Sequence, residues 1–95
     1  MMRFVWDDRK AERNLRVHRI AFADAARIFE GPTLERLDDR FPYGEERWYA
    51  IGEVNGIVIT VIYVDIDDET RRILSAWKAE KHEQKAYARY LAGRD

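Results

Sequence analysis

The chain has 95 residues, enough for one domain with a single modest core, and its 46% hydrophobic and 13% aromatic content excludes a disordered segment. It has no cysteine, which excludes a disulfide framework and thiolate chemistry and suits a reducing cytoplasm. The net charge is −1, Met1-Met2-Arg3-Phe4 opens on folded-looking sequence without a signal peptide, and no apolar run approaches the ~18 residues of a membrane span.

Arg3-Phe4-Val5-Trp6 is short, aromatic and β-branched, which predicts a strand. Asp7 can cap a first helix from Asp8 to about Val17, its carboxylate accepting from free N–H groups of the first turn. Ala11, Leu15 and His18 share one face of that helix, with Lys10, Arg13 and Asn14 on other parts of its surface. A second helix spans Phe22 to Glu30, its apolar stripe being Phe22, Ala25, Ala26 and Phe29, and Gly31-Pro32 ends it. The two helices read as a hairpin laid on one face of a sheet. Thr33 to Asp38 gives a weaker strand signal, and Asp38 to Glu46 reads as an exposed loop.

A better strand runs from Arg47 to about Glu53, and Asn55-Gly56 predicts a tight hairpin turn after it. Ile57 to Val64 is almost wholly apolar, mostly β-branched and without a helical polar gap, so it is expected to be the central strand, covered on both faces. The charged run Asp65 to Glu69 is expected to end it. Arg72 to Trp77 forms another strand, with Arg72, Leu74 and Ala76 on one face and Ile73, Ser75 and Trp77 on the other. The last helix runs from about Glu80 to Leu91 with a stripe of Ala86, Tyr87, Tyr90 and Leu91, and Gly93 marks its end. Short connections imply antiparallel pairing. The expected fold class is α+β: a small antiparallel sheet with an N-terminal helical hairpin and a C-terminal helix.

Charge divides along the chain. Residues 1–20 and 71–95 hold 13 Lys and Arg against 6 Asp and Glu, whereas residues 21–70 hold 4 against 12. If the ends meet, the molecule has a basic side suited to a polyanion, with the acidic middle screened from it; a solvated surface with accidental clustering carries equal weight. Neither a glycine-rich phosphate loop nor a Cys/His cluster of zinc spacing is present. The acidic run 65–69 lacks the glycine and spaced glutamate of a calcium loop. His18 and His82 would need carboxylate partners to hold a metal. No metal or other cofactor is called for.

The titratable and basic residues of the two ends are Lys10, His18, Arg72, Lys78, His82, Glu83 and Tyr87. They suit phosphodiester cleavage without a metal. A base removes the 2′-hydroxyl proton, cations stabilise the phosphorane, and an acid protonates the 5′-oxygen leaving group. Arg72 and Lys78 would clamp phosphate. His18, Glu83 or Lys10 could be the base, and Tyr87 or His82 the acid. Periodicity alone makes His18 a core-edge histidine and Tyr87 a packed stripe residue more often than catalytic groups, and Trp6, Trp48 and Trp77 more often core than stacking platforms.

These residues also stand in a recognisable order. Phe4-Val5-Trp6-Asp7, Lys10, Asn14, His18, Phe22 and Ala25 come first. Gly44-Glu45-Glu46-Arg47, Ile51-Gly52 and Tyr63 follow, and then Arg72-Ile73-Leu74-Ser75-Ala76, Lys78-Ala79, Glu83 and Tyr87. In this the chain resembles the BrnT family, the toxins of BrnT–BrnA type II toxin–antitoxin modules, over nearly its whole length. The resemblance implies a RelE-like fold and a cytoplasmic ribonuclease that inhibits translation. It also implies a BrnA-like antitoxin that covers the active surface and through which operator DNA is bound. The implied site is Lys10, His18, Arg72, Glu83 and Tyr87 for catalysis, with Lys78, Trp77 and Arg13 for the RNA substrate. Two positions depart from the family pattern: Trp77 stands where an arginine is usual, and Val17 where a lysine is usual before the histidine. Both remove a cation, while tryptophan can stack a base. They motivate a second reading, a catalytically weak or silent binding module acting through its antitoxin in operon autoregulation. Ala21 stands where a serine or threonine helix cap is usual.

Overall fold

A computed structural model describes residues 1–93. In chain order the elements are β1 (Arg3–Val5), α1 (Asp8–His18), α2 (Phe22–Ala26), a 3-10 turn (Arg27–Glu30), β2 (Leu34–Asp38), β3 (Arg47–Val54), β4 (Ile57–Asp67), β5 (Thr70–Lys78) and α3 (Lys81–Leu91). The strands form one sheet in the order β1-β5-β4-β3-β2. β4 is therefore central, and its residues from Ile59 to Val64 are all buried, as the unbroken apolar run requires. The turn before it has Asn55 at φ 51° and Gly56 at φ 82°, the positive pair that a two-residue hairpin needs.

The sheet is mixed rather than antiparallel. β1 runs parallel to β5, pairing Arg3 with Thr70 and Val5 with Arg72. The short connections that dictate antiparallel pairing join only β2 to β5. Between β1 and β5 lies nearly the whole chain, which is ample for a parallel return. Two further expectations are corrected by bulges. β4 does not stop at Val64 but continues to Asp67, with a register irregularity between Asp65 and Asp67. The acidic side chains there stay exposed at the end of the ladder, so the charge does not break the strand. A second shift lies between Ile62 and Tyr63, which pair with Ser75 and Ile73 and leave Leu74 as the extra residue. Strict alternation along β5 fails at that point. Ile73 and Ala76 both enter the core, and the pairing puts Arg72, Ser75 and Trp77 on the opposite face.

One face of the sheet is closed by α1, α2 and the 3-10 turn. Phe22, Ala25 and Ile28 pack on Ala50, Val61, Tyr63, Ile73 and Ala76, all at most 2% exposed. The predicted second helix is split because its last turn tightens into 3-10 geometry, which seats Ile28 on β3. Gly52 permits that approach: a Cβ there would lie 2.7 Å from the Ile28 Cβ. Ala21 at the start of α2 makes no side-chain cap. The residue of α1 that turns inward is Asn14, not Leu15, which is 51% exposed. Asn14 is buried because its amide stands in for a neighbouring strand. Its Nδ2 donates to the Ala76 carbonyl (2.8 Å) and the Ile20 carbonyl (2.9 Å), and its Oδ1 accepts from the Ala76 N–H (3.0 Å). These bonds satisfy the stretch of β5 that lies beyond the end of β1. The other face carries α3 over Leu34 and Ile51, with Tyr87 as its buried anchor, and is only partly covered.

Candidate active site

The uncovered part of that second face is a groove of about 800 Å³, within the ~300–1,000 Å³ usual for ligand sites. Its floor is the strand row of Ile51, Thr60 and Trp77 with Tyr49 and Ile62 beside it. The C-terminus of α1 and the N-terminus of α3 form one side, and residues 37–40 form the other.

Each side chain at the α1–α3 side has a local cause. Asp7 caps α1 by accepting from the N–H groups of Arg9 and Lys10 (2.8 and 3.1 Å), and Arg19 ends the helix at φ 61°. With Asn14 pinned to β5, the last residue of α1, His18, is carried to Trp77, their ring centroids 6.2 Å apart. α3 opens on a capping box in which the Glu80 N–H donates to Glu83 Oε1 at 2.7 Å. The same oxygen accepts the Trp77 indole N–H at 3.2 Å. An imidazole, an indole and a carboxylate thus stand side by side, and Lys78, the last residue of β5, also lines the groove.

Across the groove, Asp38 is 4% exposed and grips the Arg40 guanidinium at both oxygens (2.7 and 3.0 Å), while the Tyr43 hydroxyl donates to it at 3.3 Å. The Arg40 hydrogen bond holds the Asp38 carboxyl below its ordinary value of 3.8, outweighing the opposing effect of burial. The acidic middle of the chain is therefore not screened from the basic ends, since Asp38 and Asp39 line the groove together with Lys78 and His18.

Of the residues singled out by sequence, the structure brings His18, Trp77, Lys78, His82 and Glu83 to one groove. Lys10 and Arg13 are exposed on α1 and line no part of it. Arg72 lies on the groove's face but farther along β5, with its Nη2 3.5 Å from Glu45. Tyr87 is 4% exposed beneath α3 and donates its hydroxyl to the Pro32 carbonyl at 2.8 Å. Its pKa is raised, by burial first and then by Glu53 and Tyr90. Trp6 and Trp48 pack against the core, whereas Trp77 borders the groove. His82 acquires the carboxylate neighbours that spacing could not supply. Ligand atoms of Glu80, His82 and Glu83 lie within 4.8 Å of one another. The positive end of the helix dipole opposes a cation there, and both glutamates already serve the capping box.

Sequence reasoning missed Asp38, Arg40, Tyr49 and Thr60 as groove residues. Asp38, at the end of β2, and Arg40, in the loop after it, left no periodic trace. Thr60 did leave one, as a lone hydroxyl inside an apolar run.

The residues lining the groove offer imidazole and carboxylate groups for proton transfer, cations for an anion and aromatic rings for stacking. The comparisons with known proteins point to a ribonuclease. Residues 6–83 match the model of a family described as the ribonuclease toxin BrnT of type II toxin–antitoxin systems. The chain is also similar to a solved structure, the 1.1 Å crystal structure of the Brucella abortus ribonuclease toxin BrnT. The identity is 29% over 85% of this chain and 100% of that one, with a TM-score of 0.64. No curated protein matches the sequence. The chain belongs to the BrnT family of ribonuclease toxins, and membership of a type II module implies an antitoxin partner. Among the described residues no helix is long and apolar enough to cross a membrane.

Proposed function

We propose that the protein is a single-domain, RelE-like, metal-independent endoribonuclease of the cytoplasm. It cuts RNA, inhibits translation, and is neutralised by a BrnA-like antitoxin through which the pair reaches operator DNA. The observation that carries this reading is the convergence of His18 and Glu83 on Trp77 in one open groove that Lys78 also lines. Either His18 or Glu83 removes the 2′-hydroxyl proton. The 2′-oxygen attacks phosphorus, Lys78 stabilises the phosphorane, and a protonated group, His18 or His82, delivers a proton to the departing 5′-oxygen. The bond that breaks is P–O5′, and a 2′,3′-cyclic phosphate is left behind. Lys10, Arg13 and Arg72 are flanking cations along the RNA path, and Tyr87 supports α3 from below.

The test is RNA cleavage by the purified protein in excess EDTA. Native protein should cut, and His18→Ala should lower the rate at least ~100-fold, the usual worth of one acid–base group. Retained full activity in His18→Ala would remove it from the chemistry.

A second reading is supported by Trp77 itself. Its N–H bonds Glu83, at a position where the family usually carries a cation, and Val17 beside His18 is 60% exposed. On this reading the protein is a silent member that binds its antitoxin and tunes repression. It requires native protein to be inert and Trp77→Arg to gain toxicity in cells.

A further inference from the structure

The floor of the groove holds one polar atom without a partner. Thr60 is 1% exposed, and its Oγ1 makes no hydrogen bond among the described residues. A buried, unpaired hydroxyl costs stability and stands out where, among the described residues, the other buried side-chain polar atoms are paired. It lines the groove, and its ladder neighbours are Ile51 on β3 and Trp77 on β5. Tyr49, one pair along β3, borders the same space. The hollow therefore has flat or apolar walls with one hydroxyl at the bottom, able both to donate and to accept.

Cations stand at its two rims. Lys78, the last residue of β5, lines it on one side. Arg40 is oriented from the opposite side by Asp38, which engages its Nε and Nη2. Aromatic surface, a buried hydroxyl and rim cations are the parts that recognise one splayed-out nucleotide of a single strand: stacking for the base, a hydrogen bond to its edge, and charge for the flanking phosphates.

We infer that the groove contains a base-recognition subsite for single-stranded RNA, in which one unpaired nucleobase lies against Trp77 and Tyr49 and bonds the Thr60 hydroxyl, with Arg40 and Lys78 holding the phosphates on either side. This rests on the ribonuclease reading and adds to it the site of sequence preference. Duplex RNA, whose bases are stacked and paired, is excluded.

Thr60→Val tests the subsite, because it keeps shape and removes only the hydroxyl. The measurements are thermal midpoint, KM and kcat on a single-stranded RNA library, and the base preference at the cut ends read by sequencing. The expected result is a midpoint equal to or above the native one, a KM raised roughly five- to tenfold with kcat little changed, as fits one neutral hydrogen bond, and a flattened base preference. Thr60→Ser, which restores a hydroxyl, should recover both KM and preference. If native protein cuts RNA and Thr60→Val leaves KM and preference untouched, the subsite is wrong while the ribonuclease reading stands. If native protein neither cuts nor binds single-stranded RNA, both are wrong.

Discussion

The two faces of this sheet use the same strands and differ in how completely their polar groups are answered. On the helix-covered face even the charged residues are locked. Arg71 lies over the Phe29 and Tyr63 rings, 4.8 and 4.5 Å from their centroids, and pairs with Asp65 at 2.8 Å and Glu35 at 3.4 Å. Tyr63 donates its hydroxyl to Glu35, two strands away on β2. Burial, followed by that bond to Glu35, pushes the Tyr63 phenol above its ordinary value. On the groove face Thr60 is unpaired, His18 is exposed, and carboxylates and cations face each other across open space. A closed face of this kind gives stability, and an incompletely satisfied one leaves groups available to a ligand.

The comparison can be broken hardest from the closed side. Ile28 is fully buried against β3, so Ile28→Ala should cost about 2–5 kcal/mol by denaturant unfolding, with the activity of the remaining folded molecules little altered. Asn14→Leu comes next. It strips the Ala76 N–H and carbonyl of their partners, and at ~1–3 kcal/mol for each stranded group the loss should be about 3 kcal/mol. Unlike Ile28→Ala it should also lower activity, because Asn14 anchors the helix that carries His18. Equal activity in the two variants would mean that α1 is positioned by its packing alone.

Smaller changes sharpen the open side. Trp77→Phe keeps an aromatic ring and removes the N–H that orients Glu83. The rate should fall roughly tenfold, the lower end of the worth of one hydrogen bond to a charged group. The smallest effect concerns acid. The folded Asp38 carboxyl is held below its unfolded value of 3.8, so its contribution is present above that pH and is lost as pH falls through the folded value. Asp38→Asn should therefore lower the thermal midpoint near neutrality, and the gap from the native protein should close below about pH 3.8. A gap that persists in acid would place the effect in shape rather than in charge.

The lining of the candidate groove was partly legible. His18, Lys78, Glu83 and Trp77 were identifiable from residue type and family order, because their chemistry is intrinsic to the side chains. That they share a groove was not legible, since it depends on Asn14 acting as a strand surrogate and on a capping box turning Glu83 toward Trp77. Arg40 was hidden in a loop without period, and Asp38 at the last position of a weakly marked strand.

By itself the sequence determined the elements and the central position of β4. Both follow from local preferences: β-branched runs, the Asn-Gly turn, the Gly-Pro stop and the apolar stripes act over a few residues. Only the tertiary structure decided that β1 returns parallel to β5, that Ile73 and Ala76 share a face, that Asn14 turns inward in place of Leu15, and that Thr60 is left unpaired at the bottom of a groove. Each of these depends on which distant segment supplies the missing hydrogen bonds. That is a property of the assembled sheet, and no local window of the chain contains it.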